Sequence, residues 1–273
     1  MNEARDLIVL VPIYQPRLDA LEHFSLQHSL AQLRAGRQVA FIAPQSLDTT
    51  RYEADFPGVG CFRFDDASFA SIPGYNRLLM SAGFYERYAG HEFMLVLQTD
   101  ALLLRDELDG WLRQPYDYVG APWPDGLQLL VGFDRYVGEH ARRVSTHVGN
   151  GGFSLRRNRA CAELLREFPQ AMSYFLHTGS SEDLFFSLMG AASARFTLPG
   201  EAVASRFATE LQAARYHRLN DGRPPMGGHA WWKYEPDYWL AQLGPAAEAI
   251  AAQVPRPGVS AAKSPPLPIA ELV

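Results

Sequence analysis

One stretch limits the fold of this chain more than any other: Phe93-Met-Leu-Val-Leu-Gln-Thr-Asp-Ala-Leu-Leu-Leu104. An apolar run from Phe93 to Leu97 enters the polar triplet Gln98-Thr99-Asp100, and apolar residues resume at Ala101. A segment apolar at every position, with helical sequence on either side, reads as a strand buried on both faces in the middle of a parallel α/β sheet. Ligands of open α/β sheets bind at the carboxyl ends of such strands, where the crevices lie. Asp100 is therefore placed to hold a cation or a sugar hydroxyl. A second reading stands beside it, in which Gln98 and Asp100 cap the next turn through local hydrogen bonds.

The remaining pattern agrees with an α/β chain. Leu7 to Ile13 is apolar throughout and stops at the prolines Pro12 and Pro16. Leu18, Leu21, Phe24, Leu30 and Leu33 recur at roughly helical spacing up to Gly36, a C-terminal stop. Val39–Ala43 and Val59–Phe64 read as the next two strands, and the strand–helix–strand order predicts a right-handed crossover and a mainly parallel sheet. A helix is expected from Pro73 to about Tyr88, and a short one after Asp106. A strand is expected from Tyr116 that turns at Pro122, followed by a long loop from Pro124 to about Val144 near the site. Further expectations are a helix capped by Asn158, a capping box of Ser180 with Asp183, and a late strand from Arg195 to Leu198. Residues 1–253 are read as a single domain and the Pro-rich segment 254–273 as a disordered tail.

At 273 residues with a net charge of −5, the chain lacks the basic surface that a general polyanion binder needs. Cys61 and Cys161 are far apart and form no C-x-x-C, which suits a reducing compartment and burial as small apolar residues. The N-terminal segment reads as no signal peptide, and no apolar run approaches the roughly 18 residues that span a bilayer. A cytoplasmic protein is expected, with peripheral membrane association still open. There is no G-x-G-x-x-G after the first strand and no Walker-type loop.

Three more stretches carry candidate chemistry, each with a plainer alternative. Gly149-Asn150-Gly151-Gly152-Phe153 can let backbone approach a ligand, or can form a tight turn or bulge. Glu182-Asp183 opens a helix, where carboxylates are favoured by the dipole, and two carboxylates there can also supply a general base. His229 lies between Gly228 and the pair Trp231-Trp232, as a packing residue or a ligand.

Taken in order, Tyr75-Asn76-Arg77-Leu78, Leu97-Gln-Thr-Asp100, Tyr118-Val-Gly-Ala-Pro-Trp123, Val148-Gly-Asn-Gly-Gly-Phe-Ser-Leu-Arg156, Ser181-Glu-Asp-Leu-Phe-Phe186 and Gly228-His-Ala-Trp231 resemble the DUF5672 family of bacterial proteins. The resemblance covers roughly residues 5 to 240, and that family looks like a branch of the GT-A glycosyltransferases. It implies a GT-A-like, Rossmann-type fold: a mixed, mainly parallel sheet flanked by helices. It also implies transfer of a sugar from a nucleotide-sugar donor to an acceptor hydroxyl, as in glycan or surface polysaccharide synthesis. The alternative is a non-catalytic nucleotide-sugar or glycan-binding protein on the same fold.

Carried over by position, the resemblance places Gln98-Thr99-Asp100 where GT-A enzymes have an Asp-x-Asp motif, with Gln98 departing from it. A neutral amide is a poorer ligand for a hard cation than a carboxylate. Asp100 and His229 would hold a divalent metal, Mn²⁺ or Mg²⁺. Asp183, then Glu182, would be the catalytic base. Pro12, Tyr14, Asn76, Gln98, Thr99, Asp100, Asn150, Gly151, Gly152, Arg156 and Lys233 would bind the donor, and Trp123 and Trp231 the acceptor.

Overall fold

In the computed structural model, residues 7–131 and 142–255 are described. The strands are β1 (Leu7–Pro12), β2 (Gln38–Pro44), β3 (Gly60–Phe64), β4 (Phe93–Leu97), β5 (Leu102–Leu103), β6 (Tyr118–Val119), β7 (Pro122–Val131), β8 (Arg142–Val148), β9 (Phe153–Arg157), β10 (Ala208–Thr209) and β11 (Gly227–Gly228). Six of them form the central sheet in the order β3-β2-β1-β4-β9-β6. β1, β2, β3 and β4 run parallel, whereas β9 is antiparallel to both β4 and β6. The result is a mixed α/β fold with a mostly parallel sheet flanked by helices.

The unbroken apolar character of β1 and β4 has its reason in the two cores. Val9, Val11, Leu95 and Leu97 enter the core on one face of the sheet, and Ile8, Leu10, Met94 and Val96 enter the core on the other. Successive strand side chains point to opposite faces, so a strand covered on both sides must be apolar at every position. The chain passes from β1 through helix Ala20–Gln32 to β2 on one side, and β4 pairs with β1 on the other. The direction of progression therefore reverses between β1 and β4. In such sheets the crevice at that reversal, outside the carboxyl ends of the two strands, is where ligands bind.

Two smaller sheets complete the frame. β10, β11 and β5 form one, with Thr209 opposite Gly228 and Gly228 opposite Leu102. β7 and β8 form a hairpin with a register shift between Pro122 and Leu127.

Several expectations are corrected. The loop expected from Pro124 to Val144 is largely this hairpin, with residues 132–141 outside the described set. The helix expected over Pro73–Tyr88 is two, Ile72–Leu79 and Ala82–Glu86, broken where Met80 and Ser81 leave the helical path. Asn158 caps nothing: its amide donates to the Tyr88 and His91 carbonyls, and Arg157 stands at the cap position of helix Asn158–Glu167. The Ser180–Asp183 capping box does not form, because Ser181 is the cap residue of helix Glu182–Ala192 and Ser180 pairs with Thr178. Arg195–Leu198 is no strand, although Thr197 exchanges backbone and side-chain bonds with Asp117. Of the expected tail, residues 256–273 lie outside the described set. Cys161 is buried and Cys61 half-buried. Among the described residues no helix is long and apolar enough to cross a membrane.

Candidate functional site

The site is assembled at the reversal between β1 and β4. β4 ends at Leu97 opposite Phe153, so the segment before β9 runs beside the triplet, and Gln98 N–H donates to the Gly152 carbonyl at 2.8 Å. The small sheet adds a third piece of chain. Because Thr209 pairs with Gly228, and Gly228 with Leu102, the residues that follow them, Glu210 and His229, come to the same corner as Asp100.

His229 is the hub of this corner. Its Nε2 lies 3.1 Å from Asp100 Oδ1 and 3.1 Å from Gln98 Oε1, and its Nδ1 lies 3.2 Å from Glu210 Oε1. Burial alone would lower the imidazole pKa, but hydrogen bonds and charge from Asp100 and Glu210 outweigh it and raise it to about 9. Lys233 Nζ reaches Asp100 Oδ2 at 2.7 Å. Burial pushes the Asp100 carboxyl up, yet His229 and then Lys233 hold it well below the ordinary carboxylate value. Asp100 is thus a fixed anion, and Lys233 remains half-exposed beside it.

Behind this corner lies a second, fully buried group of charges. Arg156 on β9 is 0% exposed and Glu182 is 5% exposed. They form a two-pronged pair, Nη1 to Oε2 at 3.0 Å and Nη2 to Oε1 at 2.9 Å. The remaining guanidinium hydrogens go to Tyr85 Oη, Ser154 Oγ and the Gly151 carbonyl, and the Tyr118 ring stacks beneath at 5.0 Å. Glu182 holds the Arg156 charge in place against burial. The adjacent Asp183 has another fate: it is only partly buried and accepts from Ser181 Oγ and from Leu184 N–H. Burial pushes its carboxyl above the ordinary value, with a further push from Glu210.

The glycines serve the protein's own packing. A Cβ at Gly151 would stand 2.2 Å from Glu182 Oε1, and one at Gly152 would stand 2.2 Å from His229 Nε2. The space expected for a ligand over this loop is taken by the carboxylate and the imidazole.

The other sequence candidates divide by exposure. Tyr14, two residues beyond β1, is 54% exposed, and both Asp100 and Lys233 act on its hydroxyl. Pro12 is buried in the sheet. Thr99 is buried and donates to Glu22, which with Asp19 makes the capping box of helix Ala20–Gln32. Asn150 is buried and committed to Glu210 and Gly152. Asn76 is buried on helix Ile72–Leu79. Trp123 is half-buried and lies against Gly149. Trp231 is fully buried, donating to Ser25 Oγ at 2.7 Å, so it offers no surface to an acceptor. Arg156 likewise offers none to a donor, and Glu182 offers no free oxygen to a hydroxyl.

Two residues were missed by the sequence reading. Glu210 sits in no motif; only its place after a two-residue strand brings it in. Tyr234 is 50% exposed next to Lys233, and the cue was its position just past Gly228-His229.

Asp100 and the Gln98 amide oxygen meet at His229 Nε2, and Glu210 lies on the ring's other nitrogen. Among the described residues no group of three or more His, Cys, Asp or Glu is arranged to hold a metal ion. Residues 58–229, more than half of the chain, match the family described as Protein of unknown function (DUF5672). The chain belongs to this family. The matched region takes in β3, β4, the glycine segment, Glu182-Asp183, Glu210 and His229, so the DUF5672 match spans nearly the whole of the site. No curated protein matches the chain.

Proposed function

We propose that this DUF5672 chain is a glycosyltransferase of GT-A type, moving a sugar from a nucleotide-sugar donor to an acceptor hydroxyl. One observation carries the reading: at the β1–β4 reversal an ionised carboxylate, an imidazole and a lysine meet, and Glu210, which contacts that imidazole, acts electrostatically on Asp183, a carboxylate whose pKa is raised. The reaction makes two demands at once, and these groups divide between them.

As the bond from sugar to diphosphate breaks, negative charge builds on the leaving diphosphate and must be met by positive charge already in place. Lys233 is half-exposed on a flexible stem and can turn from Asp100 to a phosphate oxygen. Asp100, His229 and Gln98 would be the residues to hold a divalent cation, which when bound would supply further charge stabilisation to the diphosphate. Tyr14 and Tyr234 expose rings at the rim, where an aromatic face suits a base or a sugar.

The acceptor hydroxyl must lose its proton as it attacks. Asp183 is partly exposed, has an Oδ2 that is not engaged by Ser181 or Leu184, and has a raised pKa, which suits a general base. Glu182 is committed to Arg156, so Asp183 takes the role alone. A base placed in this way favours inversion at the anomeric carbon.

The test is a nucleotide-release screen of the purified chain against a panel of nucleotide sugars and simple glycan acceptors, with Mn²⁺ and with EDTA. Release that depends on both donor and acceptor is the expected result. Donor binding without release under any condition would make the chain a nucleotide-sugar binding protein, and absence of both would remove the reading.

A further inference from the structure

The hydroxyl at the start of helix Glu182–Ala192 is not used as such hydroxyls usually are. Ser181 is the cap residue, and a cap serine ordinarily accepts the N–H of the second or third helical residue. Here the third of these, Leu184 N–H, donates at 2.8 Å to Asp183 Oδ1, and Ser181 Oγ donates to that same oxygen. The capping side chain is spent on the carboxylate two residues on.

The place of this hydroxyl is set from the preceding helix. Helix Pro169–Thr178 ends at Gly179, left-handed at φ +68°, and Ser180 N–H returns to the Phe175 carbonyl at 3.1 Å. The Thr178 and Ser180 hydroxyls bond each other at 2.8 Å. Gly179, Ser180 and Ser181 alone join the two helices, so Ser181 meets Asp183 from a fixed backbone. An oxygen that already accepts two hydrogens is the poorer site for a third, so the carboxyl takes its proton on Oδ2.

Burial raises the pKa of this carboxyl, and the Ser181 hydroxyl opposes that rise, followed by Leu184 N–H and by Arg156 from β9. Glu210, beyond β10, adds to the rise. The neighbouring Glu182 and the Tyr118 hydroxyl of β6 feel the charge of Asp183 in turn.

We propose that Ser181 is a positioning residue for the general base: with Leu184 N–H it holds Asp183 by Oδ1 and reserves Oδ2 for the acceptor's proton. The inference rests on the transferase reading of the site. In the step itself the acceptor O–H breaks and its proton goes to Oδ2. The acceptor oxygen bonds to the anomeric carbon, and the diphosphate leaves with the electron pair of the broken bond. Ser181 acts only through Asp183.

The experiment places Ser181→Ala, Ser181→Gly and Ser181→Thr in the full chain, each with Asp183 intact and with Asp183→Asn. Urea unfolding is followed from about pH 4 to about pH 7. With Asp183 intact, the stability lost in Ser181→Ala should grow as pH rises, because the hydroxyl favours the ionised carboxylate. With Asp183→Asn the loss should be the same at every pH, and Ser181→Thr, which keeps the hydroxyl, should recover most of it. In turnover, Ser181→Ala should lower kcat about 10–100-fold with donor KM unchanged. Its acid limb of kcat/KM should move to higher pH, and Ser181→Thr should reverse both effects. If Ser181→Ala does not fold, Ser181→Gly decides, since glycine is accepted at a cap. A loss independent of pH with Asp183 intact overturns the proposal, as does the same pH dependence in Asp183→Asn. Normal kcat with an unmoved acid limb also overturns it. Failure of the transferase reading has a different signature: the pH-dependent coupling of Ser181 to Asp183 persists while no donor in the panel releases nucleotide.

Discussion

A carboxylate can serve as a base only where a hydroxyl can reach it, and that separates two neighbours in the sequence. Asp183 is partly exposed and accepts its two hydrogen bonds on Oδ1, whereas both oxygens of Glu182 are taken by Arg156. Asp183→Asn is expected to lower kcat by roughly 10²–10⁴-fold while leaving donor affinity, measured by calorimetry, unchanged. A variant that turns over normally would remove Asp183 as the base. Glu182→Gln should act on the fold instead. Leaving a buried guanidinium without its counter-charge costs about 3–5 kcal/mol, read by urea unfolding. Arg156→Met with Glu182→Leu should lose less than the two single changes together, because no unpaired charge remains. The adjacent acids Glu182-Asp183 were visible as a candidate site in the sequence, but which of them is spent on structure was not. That depends on Arg156, which β9 brings from another part of the chain.

Elements position the chemistry here through very short pairings. The small sheet contributes two residues from each strand, yet it delivers both Glu210 and His229 to the end of β4. Two-residue strands have no readable period, so nothing in the sequence linked Glu210 to Asp100. The β7–β8 hairpin escaped for a related reason: Pro122, a register shift and Gly126 at φ +65° break the alternation that marks a strand. The glycine segment was legible as special, while its reason was not. Gly152→Ala tests that reason. A methyl 2.2 Å from His229 Nε2 must displace the ring, so donor affinity and any Mn²⁺ affinity should fall at least tenfold with the fold retained in part. Gly60→Ala on β3 is the control, since its added carbon meets nothing within 4 Å and should change stability by no more than about 0.5 kcal/mol. Equal donor affinity for Gly152→Ala and wild type would show that the ring's placement is not needed.

The architecture of the whole molecule was the most legible part, because a parallel sheet with both faces covered writes itself as apolar runs without alternation. Those runs set β1, β2 and β4, and the polar triplet at the end of β4 marked the crevice. What the molecule as a whole adds is a conflict between folding and chemistry at Asp183. Folding buries this carboxyl and raises its pKa from the ordinary 3.8, while the unfolded chain keeps the ordinary value. Between the two values the folded chain holds a proton that the unfolded chain has lost. By linkage, stability is then highest on the acid side of that window and declines as pH rises through it. Asp183→Asn carries no charge at any pH. Relative to wild type it should gain stability as pH rises through the window and hold a constant advantage above it. Urea unfolding of both proteins from about pH 4 to about pH 7 measures the difference. A difference that stays flat would mean that the carboxyl titrates as if exposed. The same window sets the acid limb of kcat/KM, because Asp183 accepts a proton only after losing its own. Activity should therefore rise with pH over the range in which this residue's contribution to stability falls, and Asp183→Asn, which cannot titrate, should remove both trends together.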